Sequence, residues 1–366
     1  MRRSPAAARL FPHGAPRRIA IVRALQLGDL LLAVPAIRAI RRGFPEAEIM
    51  LIGLPWAAAF AKRFARYVDR FVEFPGWPGI AESEYLPGKT ERFIAEQRAH
   101  GYDLVVQMHG SGCSSNGFAL ALGAPVTVGY YDAAAPESAR GLAATAPYAD
   151  DQPEVLRNIG VARLLGCPAR DLALEFPLTE ADRAEADMLV GIPRGKGQRW
   201  VGMHAGARPP SRRWPVEHFA ALADEMARRF DARIVLTGGP GEEQTVADVA
   251  DCMRTPPLNL AGKTSLGGLA ALIARLDLFI SNDTGPAHLA EAVGTPSITL
   301  FGPADPRRWA PLNAARHPIV RVPVACSPCS FWECPIDHRC LRRITPNMVL
   351  SVAEHVIGEG AVACNA

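Results

Sequence analysis

The chain has 366 residues, of which 49% are hydrophobic and 21% are charged, and its formal net charge is +3. These values are typical of a folded globular protein with two domains, so they argue against a disordered chain, and the small charge gives no reason to expect a nucleic-acid partner. Because the chain has no uncharged apolar run of about 18 residues and its N-terminus is interrupted by prolines, we expect a cytoplasmic protein without a transmembrane helix or secretory signal.

Strands and helices alternate in two series along the chain, which predicts an α/β fold of two doubly wound parallel sheets. We expect a flexible tail over 1–16, a first domain over 17–170, an irregular linker over 171–198, a second domain over 199–345, and a C-terminal helix and tail over 346–366 that pack back on the first domain. The predicted strands of the first domain cover 18–23, 48–52, 70–74, 104–108 and 126–130, and its helices cover 30–42, 57–66 and 154–165. In the second domain the predicted strands cover 200–204, 232–237, the residues before Asp283 and 297–301, with helices at 216–229, 242–253 and 266–275.

A polar turn between two apolar stretches predicts an anion-binding site in the second domain. The stretch that ends at Asn282 has the character of a buried strand, and the one that begins at Ala287 has the character of a helix. Between them, Thr284 and Gly285 can bring backbone N–H groups close to a phosphate, and the helix dipole adds partial positive charge. We therefore expect a phosphorylated ligand here. Asp283 is also a common residue at helix N-caps, so a purely structural turn is the alternative.

Several motifs of the chain resemble glycosyltransferase family 9, which includes the lipopolysaccharide core heptosyltransferases. The resemblance covers about residues 17–357 and implies the GT-B architecture, in which two Rossmann-like domains face a cleft. The segments that carry it are His-Ala-Gly-Ala at 204–207, Ser-Arg-Arg-Trp-Pro at 211–215, Ser-Asn-Asp-Thr-Gly-Pro-Ala-His at 281–288, Gly-Thr-Pro at 294–296, Phe-Gly-Pro at 301–303, Leu-Gly-Asp-Leu-Leu at 27–31 and Pro-Ala at 35–36.

The resemblance implies an inverting transferase that moves a sugar, most often heptose from ADP-heptose, to a lipopolysaccharide core or related glycan without a catalytic metal ion. Fixed hydrogen-bond donors and cations then stabilise the nucleoside diphosphate as it leaves. One of two adjacent arginines matches a phosphate-contacting lysine of family members, and a one-residue shift of the alignment decides which. The donor-binding residues implied in this way are Arg212, Arg213, Asp283, Thr284, Gly285 and His288. His288 among apolar neighbours also fits an ordinary core histidine.

Asp29 is the candidate catalytic base. It follows the first predicted strand, so its carboxylate is expected at the carboxyl edge of the sheet, where doubly wound folds bind their ligands. An inverting transfer needs one base to take the proton of the acceptor hydroxyl, and the matching aspartate of family members has that proposed role. The alternative is that Gly28 and Asp29 only cap the helix that follows.

Three weaker candidates complete the predicted site. Glu242, next to Glu243, follows a glycine-rich turn near the position where family members have a glutamate that contacts the nucleoside ribose, but carboxylates also favour a first helical turn for electrostatic reasons. Gln26 and His109 lie in loops of the domain that the resemblance assigns to the acceptor, and His109 can equally be an ordinary loop histidine. The arginines near the N-terminus suit contact with the anionic surface of the inner membrane, a soluble tail being the alternative.

Four of the eight cysteines lie in one short segment with the spacing C-x2-C-x4-C-x5-C, and they are Cys326, Cys329, Cys334 and Cys340. A C-x2-C step suits tetrahedral coordination of zinc or iron, so the segment is a candidate structural metal site. Its later gaps are shorter than those of a zinc ribbon. Two disulfides and simple buried thiols are the alternatives.

Other classes of protein share these features. They are a transferase that uses another nucleotide sugar or a protein acceptor, a nucleotide-sugar epimerase of the same architecture, and a noncatalytic protein that binds sugar nucleotides. An epimerase would turn over its donor without an acceptor, and a binding protein would be indifferent to the loss of Asp29.

Overall fold

The structure, a computed structural model, describes residues 5–191, 195 and 197–363. The chain divides into two compact units between Ala173 and Leu174. Parts of the predicted N-terminal tail (1–4), of the predicted linker (192–194 and 196) and of the predicted C-terminal tail (364–366) lie outside the described residues.

The first unit contains a parallel six-stranded sheet with the strand order β3-β2-β1-β4-β5-β6. Its strands are β1 (Arg18–Val22), β2 (Glu48–Gly53), β3 (Arg70–Glu73), β4 (Leu104–Gln107), β5 (Val126–Tyr131) and β6 (Ala144–Pro147). Its helices are α1 (Pro5–Leu10), α2 (Leu27–Leu31), α3 (Val34–Gly43), α4 (Ala57–Arg63), α5 (Pro87–His100), α6 (Ser115–Ala121) and α7 (Glu154–Leu164).

The second unit repeats this arrangement with the strand order β12-β11-β10-β7-β8-β9, again parallel throughout. Its strands are β7 (Arg199–His204), β8 (Ala232–Thr237), β9 (Leu258–Asn259), β10 (Leu278–Asn282), β11 (Ser297–Phe301) and β12 (Ile319–Arg321). Its helices are α8 (Glu180–Val190), α9 (Val216–Phe230), α10 (Glu243–Cys252), α11 (Leu266–Ile273), α12 (Gly285–Ala292), α13 (Pro306–Trp309), α14 (Arg339–Arg342) and α15 (Pro346–Ala363).

Each sheet has the strand order of a Rossmann fold, so the predicted α/β fold of two Rossmann-like units is confirmed. The central strands are apolar on both faces because helices cover both, and Ile19 to Val22 of β1 are fully buried. The strand order reverses between β1 and β4 in the first sheet and between β7 and β10 in the second. Ligands of such sheets bind beyond the carboxyl ends of the strands at this reversal.

The helix predicted over 30–42 is divided into α2 and α3. Pro35 lies in the first turn of α3, where its missing N–H costs nothing and its fixed φ suits the start of a helix. The short α2 therefore ends before Pro35 and stands alone directly after β1. This division isolates Asp29 on a five-residue helix at the edge of the sheet.

The prediction of an irregular linker over 171–198 is corrected by α8. Thr179 caps this helix, because its hydroxyl accepts from the N–H of Asp182 at 3.2 Å and the Asp182 carboxylate accepts from the N–H of Thr179 at 2.7 Å. The helix ends at Gly191 in the left-handed conformation and packs against α11. Residues 180–190 of the predicted linker are thus part of the helical layer of the second unit.

The N-terminal end of the chain also differs from the prediction. Residues 5–10, expected in a flexible tail, form α1, and the Phe11 ring that follows is buried, with its centroid 5.7 Å from that of Phe44. The helix α15 contacts α9, β10, β11 and β12 of the second unit, and its packing on the first unit stays a prediction. Within residues 5–191, 195 and 197–363, no helix has both the length and the apolar character needed to cross a bilayer.

Candidate functional site

The predicted site residues lie at the strand reversals of the two sheets. In the first sheet β1 pairs with β4 so that Val22 lies beside Gln107, and Asp29 and His109 follow these strands. In the second sheet β10 pairs with β7 so that Ser281 lies beside His204, and Asp283 follows directly. Both sets of residues therefore occupy the place where a Rossmann fold binds its ligand.

An ion pair forms the centre of the second-unit site. Nη1 of Arg212 donates to Oδ2 of Asp283 at 3.0 Å. The Asp283 side chain is 5% exposed and that of Arg212 is 34% exposed. A guanidinium has five N–H donors, so Arg212 can bind Asp283 and a ligand phosphate together.

The helix α12 begins beside this ion pair. Thr284 is its N-cap in an extended conformation, and Gly285 is its first residue, so the N-terminal end of the helix dipole lies at the turn that the sequence predicted. His288 lies in the second turn and is buried. Burial, and then the charge of Arg212, lower the pKa of His288 to about 4. Nδ1 of this neutral histidine is buried and has no hydrogen-bond partner among the described residues.

Asn282 connects three segments at the end of β10. Its Oδ1 accepts from the N–H of Trp214 at 3.0 Å, and its Nδ2 donates to the carbonyl oxygens of Ala205 and Gly206 at 2.8 and 3.2 Å. The side chain is fully buried. It therefore fixes the loop after β7 and the start of α9 against the strand that carries Asp283.

A second polar pair lies beside this loop. Nε2 of His204 is 3.2 Å from Oε2 of Glu242, and the same oxygen accepts from the N–H of Gly239 at 2.7 Å. Burial opposes ionisation of Glu242, but the hydrogen bond and charge of His204, the Gly239 N–H and the charge of Arg213 together hold the pKa of Glu242 below its ordinary value. The carboxylate is thus ionised and half-buried at the end of β8.

The structure separates the environments of the two adjacent arginines. Arg213 donates through Nε to the carbonyl oxygen of Ala207 at 2.9 Å, so it braces the loop after β7. Arg212 instead reaches Asp283. The two residues are therefore brought to different parts of the predicted site.

Asp29 is half-buried and lies in the first turn of α2. Its Oδ2 accepts from the N–H of Gln26 at 3.3 Å, so the carboxylate also helps to cap the helix, as the alternative interpretation required. The long N···O distance marks a weak bond. Capping therefore does not preclude a chemical role for Asp29.

His109 is buried at the end of β4, where its N–H donates to Oε1 of Gln107 at 3.0 Å. Its Nε2 is 3.7 Å from Oε2 of Glu82, and Nδ1 has no hydrogen-bond partner in the part of the chain that the structure describes. Burial and the charge of Arg23 lower the pKa of His109 to about 4. This ring is therefore neutral near pH 7.

The four clustered cysteines are free thiols in very different surroundings. Cys326 is exposed, Cys340 is buried in α14, and Sγ of Cys334 accepts from the N–H of His338 at 3.3 Å. Across the described residues, no three His, Cys, Asp or Glu side chains are placed as ligands of one metal ion. The predicted structural metal site is thus unsupported by the side-chain placement, although Cys326, Cys329 and Cys334 lie near enough to Cys340 to add to the effect of burial in raising the pKa of its thiol.

Three polar residues of these sites were not predicted from the sequence. His204 and Asn282 lie inside motifs that carry the family resemblance. Their positions at the ends of predicted strands could have identified them as site residues. Arg23, at the end of β1, is 1% exposed and bonds to the backbone of Asp29. An arginine after an apolar strand has the same sequence pattern whether its side chain is buried or exposed. The sequence therefore did not identify Arg23 as a buried residue.

Comparisons with known proteins agree with this geometry. A family model described as glycosyltransferase family 9 (heptosyltransferase) matches residues 91–339. Lipopolysaccharide heptosyltransferase 3 of Escherichia coli is 28% identical over 299 residues, which are 78% of this chain and 83% of that protein. Lipooligosaccharide heptosyltransferase 2 of Campylobacter jejuni is 28% identical over 166 residues, 44% of this chain, and the chain spans about half of its length (52%).

A solved structure extends the likeness to both units. ADP-heptose lps heptosyltransferase II of Escherichia coli superposes with a TM-score of 0.73 at 21% sequence identity, over 94% of this chain and 99% of the other. At this identity the likeness shows a shared fold.

Proposed function

Because the chain belongs to glycosyltransferase family 9, we propose that it is an enzyme that transfers heptose from ADP-heptose to a lipopolysaccharide core or a related glycan. The observation that carries the proposal is the Arg212–Asp283 ion pair beside the N-terminus of α12, at the strand reversal of the second sheet. A partly exposed cation and a helix dipole suit a nucleoside diphosphate.

The remaining donor contacts follow from the same edge of the sheet. The amides of Thr284 and Gly285 bind the pyrophosphate with Arg212. Glu242, held ionised by His204 and Gly239, accepts hydrogen bonds from the ribose hydroxyls. The ADP moiety itself is proposed from the related heptosyltransferase II, whose name specifies ADP-heptose.

Transfer proceeds with inversion and without a catalytic metal ion. Asp29 takes the proton of the acceptor hydroxyl as that oxygen attacks the anomeric carbon, while the bond from this carbon to the diphosphate breaks. The charge that develops on the leaving diphosphate is stabilised by Arg212 and the dipole of α12. These fixed groups perform the role that a divalent cation has in other transferases.

The acceptor side of the proposal is a glycolipid at the cytoplasmic face of the inner membrane. Gln26 and the neutral His109 offer polar groups near Asp29, and the arginines at positions 9, 17 and 18 supply positive charge, while those at positions 2 and 3 lie outside the described residues. Vesicle sedimentation at low and moderate salt tests the membrane contact, because electrostatic binding weakens as salt rises.

The donor is tested by a calorimetric screen of ADP-, UDP-, GDP- and CMP-sugars. Selective binding of an ADP-sugar is expected, and selectivity for another nucleotide would overturn the donor assignment.

The base is tested with Asp29→Ala, which is expected to abolish transfer to heptose-deficient lipopolysaccharide and to leave ADP binding unchanged. Preserved transfer would overturn the role of Asp29. Turnover of the donor without an acceptor would instead identify an epimerase.

A further inference from the structure

Arg23 is a fully buried arginine for which the proposed reaction has no use. It follows β1, and its side chain contacts three separate segments of the first unit. Nε donates to the backbone carbonyl oxygen of Asp29 at 2.9 Å, and Nη1 donates to that of Met108. Nη1 also donates to Oδ1 of Asn158 at 3.0 Å. One guanidinium therefore joins the helix that carries Asp29 to the end of β4 and to α7.

The positive charge of Arg23 is balanced by the carboxylate of Glu154. Nη2 lies 3.4 Å from Oε1 of Glu154, which also pairs with Arg157, and all three side chains are buried. Burial lowers the pKa of Arg23, and the nearby Asp29 carboxylate opposes this change. A buried ion pair contributes little net stability compared with apolar side chains, so its geometry is the more informative property.

Asn158 extends the support to the far end of α2. While Oδ1 accepts from Arg23, Nδ2 donates to the carbonyl oxygen of Leu32 at 3.1 Å. The five-residue α2 is thus held at Asp29 by Arg23 and just beyond its last residue by Asn158. So short a helix has little stability of its own, and these contacts fix its place.

We infer that Arg23 is a positioning residue that fixes the backbone of Asp29 relative to the loop of His109. The inference rests on the proposed function, because it takes Asp29 as the base. The carbonyl oxygens that Arg23 holds belong to Asp29 itself and to Met108, the residue before His109. Its planar, rigid fork sets the spacing of the two segments, whereas a lysine ammonium would retain the charge without the fork.

The test compares Arg23→Lys with Arg157→Lys. Arg157 is an equally buried arginine that pairs with the same Glu154, but it donates to the carbonyl oxygen of Ala149 instead of to the Asp29 segment. The measurements are kcat and KM with ADP-heptose and heptose-deficient lipopolysaccharide, the Kd for ADP, and the thermal midpoint. A displacement of about 1 Å at a reacting group costs on the order of 100-fold in rate.

We expect Arg23→Lys to lower kcat by about 10- to 100-fold and to leave the Kd for ADP within about twofold, while Arg157→Lys retains kcat at a similar loss of thermal midpoint. Equal kcat in the two variants would overturn the positioning role. If Arg23→Lys lost both ADP binding and kcat, the positioning role would also be overturned, because the substitution would then have disturbed the protein as a whole.

Two further variants complete the test. If Arg23→Lys does not fold, Asn158→Ala takes its place in the test. It keeps Arg23 but removes the side chain that accepts from Arg23 and donates to Leu32, and it is expected to lower kcat. Unchanged kcat in a folded Asn158→Ala would contradict the inference. Asp29→Asn separates the two hypotheses. If it is inactive while Arg23→Lys behaves as Arg157→Lys does, only the positioning role fails. If it remains active, the proposed base fails and the inference fails with it.

Discussion

Nη1 of Arg212 lies 3.0 Å from Oδ2 of Asp283, although the two residues are 71 positions apart in the chain. The preceding Ser211 is held by the cysteine-rich segment, since its N–H donates to the carbonyl oxygen of Trp332 at 3.1 Å and its Oγ to that of Phe331 at 2.6 Å. The position of the proposed phosphate-binding arginine is therefore set from outside the Rossmann core.

Replacing Arg212 by glutamine is expected to weaken ADP binding by about 10- to 100-fold, because a charged hydrogen bond to phosphate contributes roughly 1.5–3 kcal/mol. The thermal midpoint should fall as well, because the buried Asp283 carboxylate loses this ion pair. Arg213→Gln is the matched control. Because Arg213 braces the carbonyl of Ala207, this variant should lose stability more than affinity. Isothermal calorimetry and thermal unfolding measure both, and a larger affinity loss in Arg213→Gln would reverse the assignment.

Gly206 has no room for a side chain. A Cβ there would lie 2.1 Å from Cδ of Glu242, so Gly206→Ala must displace the carboxylate from His204. Overpacking of this kind costs about 1–3 kcal/mol, and ADP binding should weaken with it. At Gly239 a Cβ would meet Oε2 of Glu242 at 3.5 Å, an ordinary contact, so Gly239→Ala is the control and should change neither property. Urea unfolding measures the stability of the two variants, and titration with ADP measures their affinity. Equal effects of Gly206→Ala and Gly239→Ala would contradict the role of Gly206.

Glu291 on α12 is predicted to make stability fall as pH rises. Burial raises its pKa from 4.5 to about 7, and Oε2 has no hydrogen-bond partner within the described ranges. The unfolded chain loses this proton near pH 4.5 and the folded chain near pH 7, so the stabilising contribution is complete below pH 4.5 and is lost by about pH 7.

The variant Glu291→Gln removes this titration. It should therefore match the original protein near pH 4 and exceed its stability at pH 8 by up to about 3 kcal/mol. Urea unfolding at both pH values measures the difference. The same substitution at the exposed Glu217 provides the control for the loss of a carboxylate as such. A pH-independent effect of Glu291→Gln would show that the buried carboxyl keeps an ordinary pKa.

Thiol labelling separates free cysteines from a metal site. Cys326 is exposed, whereas Cys340 is buried and burial raises the pKa of its thiol. Iodoacetamide should therefore modify Cys326 and the exposed Cys113 at once, and Cys340 only after unfolding. Peptide mass spectrometry reads out each position. Protection of Cys326 that is released by a chelator would contradict this expectation and establish the metal site that the spacing suggested.

The central strands and the turns after them could be predicted from the sequence because their signals are local. The strands β8 and β11 begin and end where the apolar runs do, and Asp29 and Asp283 follow their strands as expected. The short edge strands β6, β9 and β12 were missed, since two to four residues carry little periodic pattern. The helix α8 was also missed, because the prolines and glycines around it suggested an irregular segment. Its capping residues, Thr179 and Gly191, are nevertheless the usual start and stop signals of a helix.

Long-range polar contacts explain the remaining differences. The bond from Arg23 to Asn158 joins residues 135 positions apart, and that from Asn282 to Ala205 joins residues 77 apart. Contacts between residues so far apart cannot be predicted from a local sequence pattern. Propensity and periodicity therefore located the sites, whereas the hydrogen bonds that shape them depend on the folded sheets.

Asn282 makes the proposed donor site sensitive to an exchange of one atom. Substitution by aspartate would preserve the shape of the side chain almost completely, and Oδ1 would still accept from the N–H of Trp214. The other terminal atom would become an oxygen facing the carbonyl oxygens of Ala205 and Gly206, so two attractions would turn into repulsions. At this position the mildest steric change is therefore a severe electrostatic one, and similarity of size is no guide to which residues the site tolerates.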